Sequence, residues 1–173
     1  KPSKEVIYKD KGSKFFGYSF PVSNETEIKD CIDLLRKKHH NARHFCYAWQ
    51  LGESYEHYRI NDDGEPSNSA GIPIYGQLKA YELTNVLVVI VRYFGGTKLG
   101  VGGLIQAYKN SAKMALETSK IILKTIDESF LLLFQYPEMN TVMRIIKDEN
   151  LKLLNQKMEL SCEFHIAVRK KEA

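Results

Sequence analysis

The chain has 173 residues, enough for one ordinary domain or two small ones with a sizeable core. Hydrophobic residues at 43% and charged residues at 27% match a globular protein in water, and a formal charge of +4 admits an acidic partner such as nucleic acid without demanding one. The longest apolar runs are about six residues against the roughly 20 that span a bilayer, and no basic-then-apolar opening with a cleavage site is present, so neither a membrane span nor a secretion signal is expected.

The opening KEVIYKDKGSKFFGYSFPV predicts two strands around a turn at Asp10, Lys11, Gly12 and Ser13. In residues 24–40, Ile28, Cys31, Ile32 and Leu35 recur at helical spacing. Asn24 is placed to cap that helix, and Arg36, Lys37 and Lys38 close it where the dipole favours cations. His39 and His40 read as further dipole partners at the same end. ARHFCYAWQLG predicts a strand, residues 55–60 a second, and NDDGEPSNSAG a turn and loop. A helix is expected next, capped by Ser67, Asn68 or Ser69, with Ile72, Tyr75 and Leu78 inward. Residues 86–91 are continuously apolar and predict a strand covered on both faces, and Leu104, Tyr108, Ala112 and Ala115 mark the helix after the glycines.

The character changes near Ser119. Residues 121–135 read as strand-forming, and 138–150 as a helix with Val142, Ile145 and Ile146 inward. A short strand is expected at 151–155, then an alternating strand with Met158, Leu160, Cys162, Phe164, Ile166 and Val168 on one face. This β-α-β-β order is three-quarters of a split βαβ motif. Cys31, Cys46 and Cys162 contain no Cys-x-x-Cys pair and are expected to be reduced thiols, with neither a disulfide framework nor a zinc site.

Three groups could carry chemistry. In RYFGGTKLGVGG, residues 92–103, Gly95, Gly96, Gly100, Gly102 and Gly103 free the backbone to present N–H groups to an anion, with Arg92 and Lys98 adding charge. The spacing is neither a Walker loop nor a dinucleotide fingerprint, and the same glycines equally suit a tight corner between strand and helix. In the acidic loop, Asp62, Asp63 and Glu65 suit a divalent cation or acid–base work, or simply a solvated turn with Ser67 or Ser69 capping a helix. His44 and Cys46 share one strand face, but the apolar setting of Cys46 disfavours the thiolate that a dyad needs. Arg43, Arg59, Arg92, Tyr93, Phe94, Lys98 and Lys109 supply charges and rings suited to phosphates and bases, without any sequence sign that they share a face.

ARHFCYAW, NDDGEPSNSAGIPI and VVIVRYFGGTKLGVGGLIQAY, in that order, resemble the YigZ/IMPACT family over most of residues 1–120, with Ser69 and Thr97 as small departures. The resemblance implies an α+β chain. Its domain over residues 1–120 would be of the ribosomal protein S5 domain 2 type. A ferredoxin-like domain over 121–173, similar to the last domain of elongation factor G, would follow and reads as incomplete. Kinase relatives of the first fold hold phosphate with a glycine-rich loop, which tilts the loop toward an anion site by analogy alone.

Eukaryotic members regulate translation under starvation, and nucleic-acid binding is suggested for bacterial ones from fold and surface. The expectation is therefore a cytoplasmic binding protein for RNA, the ribosome or a translation-related protein, in translation or stress regulation, with no cofactor and no metal. Arg92 and Lys98 would pair with phosphate, the Gly95–Gly103 amides would hold an anion, and Tyr93 or Phe94 would stack. His44, Asp62, Asp63, Glu65 and Ser69 would line the cleft. One alternative is an enzyme on a small phosphorylated or nucleotide substrate, with Asp62 or Asp63 as base or metal ligand and His44 as acid or base. Another is a protein-binding module whose open sheet edge accepts a strand.

Overall fold

Strands β1 (Val6–Asp10) and β2 (Ser13–Pro21) form the expected hairpin in the computed structural model, which describes residues 2–171 and 173. Its two linking residues, Lys11 and Gly12, have φ of 43° and 80°, the paired positive values of a turn whose twist matches the flanking strands. The chain divides into two compact units, Lys1–Ile121 and Ile122–Ala173. No helix among the described residues is long and apolar enough to cross a membrane.

The first unit is a five-stranded antiparallel sheet in the order β1-β2-β5-β3-β4, with β3 at His44–Leu51, β4 at His57–Asn61 and β5 at Val86–Tyr93. Helix α1 (Glu25–Lys38) covers one face. Asn24 accepts the Glu27 N–H at 2.9 Å, while the Glu27 carboxylate accepts the Ser23 N–H at 2.8 Å. Its Ile28 and Leu35 bury against Phe45, Trp49, Val89 and Val91, with Cys31 and Ile32 at the margin. Helices α2 (Gly71–Ala80) and α3 (Gly100–Glu117) cover the other face, where Leu104, Tyr108, Ala112 and Ala115 pack as their spacing predicts. Residues 87–91 of β5 are therefore closed off from water on both sides.

Helix α2 departs from expectation. Ile74, Gln77 and Leu78 face inward, Ile72 faces solvent, and none of Ser67, Asn68 or Ser69 caps it. The cap comes from Asp62, in the loop that leads into the helix.

The second unit is β6 (Asp127–Phe134), a 3₁₀ turn at Tyr136–Glu138, α4 (Met139–Asp148), β7 (Lys152–Met158) and β8 (Cys162–Arg169). Its antiparallel sheet runs β6-β8-β7. Cys162, Phe164 and Ile166 alternate into a small core with Phe134 and Ile146. The alternation does not reach back to Met158 and Leu160 as one strand. Met158 ends β7 directly opposite Cys162, and Leu160, in the turn between them, is 99% exposed. On α4, Val142 and Ile146 pack inward while Ile145, a quarter-turn away from Ile146, faces solvent.

Candidate functional site: an acidic latch beside an open glycine loop

The acidic loop after β4 is bound down along its length. Asp62 accepts the backbone N–H groups of Ala70 at 2.9 Å, Gly71 at 2.8 Å and Asn68 at 2.9 Å, so its carboxylate caps α2 from outside the helix. Asp63, at φ 39°, accepts the Phe45 N–H at 2.7 Å, lies 3.5 Å from Arg36, and offers its carbonyl to His44 Nδ1 at 2.9 Å. A carbonyl only accepts, so His44 carries its proton on Nδ1. Ser69, wholly buried, donates to the Pro66 carbonyl at 2.6 Å.

Glu65 completes this latch. Its Oε1 accepts from Arg92 Nη1 at 2.6 Å and from the Tyr108 hydroxyl at 2.7 Å, and the Arg92 and Glu65 side chains are 7% and 4% exposed. Phe15 and Phe94 flank the guanidinium at 5.4 and 5.6 Å. Beneath them the Cys46 sulfur lies 3.0 Å from the Asp62 carbonyl and 3.2 Å from the Tyr108 hydroxyl. Burial pushes both the Cys46 thiol and the Tyr108 hydroxyl well up, so neither ionises readily.

His44, Asp62, Asp63, Glu65 and Arg92 thus converge, as a cleft required, with His44 and Arg92 directly opposite each other across β3 and β5. They converge by engaging one another. Arg92, expected to pair with phosphate, is held by Glu65 inside the protein. Asp62 and Asp63, considered as base or metal ligand, accept backbone amides. Among the described residues no cluster of three or more His, Cys, Asp or Glu is arranged to hold a metal ion.

The glycine loop divides between its two readings. A Cβ on Gly95 would stand 1.8 Å from the Gly12 carbonyl carbon and 2.2 Å from the Ser13 nitrogen, so this position is a backbone corner. The Gly95 N–H also donates to Ser13 Oγ at 3.2 Å. Gly103 is tight as well, 2.9 Å from Leu99 Cβ. Gly96, Gly100 and Gly102 have nothing within 4 Å of that position. Gly96 and Gly100 need glycine for their φ of 88° and 74°, but Gly102 sits in the first turn of α3 with neither a steric nor a conformational reason for it. That helix start has no side-chain cap and no acidic residue in its first turn, and Lys98 beside it is exposed.

One group of residues escaped the sequence reading. His39 ends α1 and is buried over the sheet, its Nδ1 3.0 Å from the Tyr93 hydroxyl and its Nε2 2.6 Å from the Tyr18 hydroxyl. Tyr18 donates to the Glu5 carboxylate, which also accepts Lys38 Nζ at 2.6 Å. Because the Tyr18 proton goes to Glu5, its oxygen accepts from His39 Nε2–H, and His39 Nδ1 accepts from Tyr93. Burial holds the His39 pKa below its ordinary value, with Lys38 adding to that effect. Nothing local to a His-His pair at a helix end signals this chain; it arises only when α1 closes over β2 and β5.

The family model of the Impact N-terminal domain matches residues 11–116, which include the latch, the glycine loop and His39. The IMPACT family member YvyE of Bacillus subtilis (strain 168) is 33% identical over 160 residues, covering 92% of this chain and 74% of that protein. The IMPACT family member YigZ of Escherichia coli (strain K12) is 28% identical over 165 residues, covering 94% and 81%. A crystal structure described as that of a hypothetical protein superposes with a TM-score of 0.73 at 27% identity, over 98% of this chain and 83% of that one. With the matched domain holding the latch, the glycine loop and His39, and two relatives spanning nearly the full chain, this protein belongs to the IMPACT family.

Proposed function

We propose that the protein binds a phosphate-bearing partner, RNA or the ribosome, in the regulation of translation, and that residues 96–102 with Lys98 form its contact. The carrying observation is the open space at Gly96, Gly100 and Gly102 around the uncapped start of α3. Glycine inside a helix lowers stability by about 0.5–1 kcal/mol relative to alanine, and at Gly102 the open space is where a ligand can approach the backbone closely. Membership in a family whose eukaryotic members regulate translation supports the context, and with it we propose a cytoplasmic site of action. We read residues 1–120 as an S5 domain 2-like domain and 121–173 as a ferredoxin-like one. The central place of the third strand in β6-β8-β7 favours the latter.

Anisotropy titration with single-stranded RNA across a salt series tests this. Binding should weaken with salt, and Lys98→Ala should lower the slope of log K against log salt by about 0.7, one phosphate contact on a single strand. Absence of binding to RNA and to ribosomes at low salt removes the reading.

A second reading rests on β6, an edge strand with Leu131 and Leu133 exposed on one face. Such an edge accepts a strand from a protein partner, and capture that survives high salt and nuclease would favour it over RNA.

A further inference from the structure

The hairpin turn, the end of β5 and the loop after it enclose a groove of about 340 Å³ lined by Gly12, Lys14, Phe16, Tyr93 and Phe94. Sheet register places Lys9 opposite Lys14 and Lys14 opposite Tyr93, one row across β1, β2 and β5. Like charges directly opposite each other in an antiparallel pair are destabilising, and no ion pair compensates either lysine among the described residues. The nearest acid in the hairpin, Asp10, alternates to the other face, where its partner Ser13 meets Arg92. Two uncompensated cations therefore line up beside the groove.

The remaining walls are aromatic and held in place. Tyr93 is fixed by its hydrogen bond to His39 and by an edge contact with Phe16, centroids 5.5 Å apart at 72°. Phe94 is 56% exposed, a large apolar ring left to water. The close backbone approach of Gly12 and Gly95 ties the hairpin tip to the loop and fixes the groove floor.

We propose that this groove is a nucleobase subsite for a single-stranded polynucleotide, with one base against Phe94 and the flanking phosphates on Lys9 and Lys14. A stacking ring beside a run of cations is how sequence-tolerant single-strand binding is built, since every base has a π-face and phosphates are evenly spaced along the strand. A base paired within a duplex does not present that face, so duplex is excluded. An acidic peptide would use the lysines and leave Phe94 idle. The subsite deepens the RNA reading above and rests on it, while using residues that the glycine loop does not contain.

The test is anisotropy with labelled oligouridylate, the corresponding duplex and polyglutamate as competitor, on the full chain. Phe94→Ala is expected to weaken oligouridylate binding on the order of tenfold, the worth of one stacked base. Phe94→Trp should restore binding and show emission quenched by the base. The Lys9→Gln, Lys14→Gln double variant should lower the salt slope by about 1.4, at about 0.7 for each phosphate released. All these side chains are at the surface or groove wall, and unchanged circular dichroism confirms the fold of each variant. Parent-like binding in the Phe94 and lysine variants, with loss in Lys98→Ala, overturns the subsite and leaves the loop reading standing. Equal affinity for duplex, or full competition by polyglutamate with Phe94→Ala silent, also overturns it. No polynucleotide binding at low salt overturns both.

Discussion

At the scale of single residues, Arg92 is a permanent positive charge in a position only 6% exposed, and Glu65 is the group that makes that position tenable. Removing one partner of a buried pair strands the other, so Glu65→Ala should cost about 3–5 kcal/mol in urea unfolding. Glu65→Leu with Arg92→Met should recover most of that loss, which identifies the stranded charge as its cause. His39 has the opposite character, a buried imidazole kept neutral. Its folded pKa lies below the unfolded value of 6.5, so its contribution is complete above that pH. As the pH falls the unfolded chain binds the proton first, and the contribution is lost down through the folded pKa. The Lys38 and Tyr18 hydrogen bonds depress Glu5 likewise, so a second loss begins below 4.5. The urea midpoint should therefore drop between pH 7 and pH 5, and His39→Gln should flatten that drop. Both residues were visible in the sequence with roles too small for them. In the sequence Arg92 reads as a ligand contact and His39 as a dipole partner, because burial and partners depend on elements that close over them from far along the chain.

Among the elements, those whose signal is local were legible. The periodicity of α1 and α3, the unbroken apolar run of β5 and the alternation within β8 each reflect the neighbours of that segment alone. Helix α2 is legible with Leu78 inward and Tyr75 half-buried against the core, but its capping residue and the outward turn of Ile72 are not. The capping residue, Asp62, precedes the helix by a full loop and reaches it only after that loop folds back on itself. The glycine loop resisted for a different reason. Its residues have one composition and two jobs, and only the space around each Cα separates Gly95, which cannot change, from Gly102, which can. Gly102→Ala should stabilise the protein by about 0.5–1 kcal/mol in denaturant unfolding while weakening RNA binding. A gain in stability with unchanged binding would show that the first turn of α3 is only structural.

For the whole molecule, the sequence showed a change of character near Ser119, and the structure has two units with separate cores. The first buries two large clusters on opposite faces of its sheet, the second a single cluster of five buried residues. Apolar area sets stability, so the second unit should lose structure at lower denaturant than the first. Each unit also contains one fully buried thiol, Cys46 under the latch and Cys162 in the small core. A thiol that reacts only when uncovered is a clock. Alkylation with a mass tag, read by peptide over time, should label Cys162 before Cys46, and Glu65→Ala should accelerate Cys46 alone. If both sulfurs are tagged in step, the units open together. The sulfur beneath the acidic loop thus lets the opening of that loop be timed with no reporter group introduced beforehand.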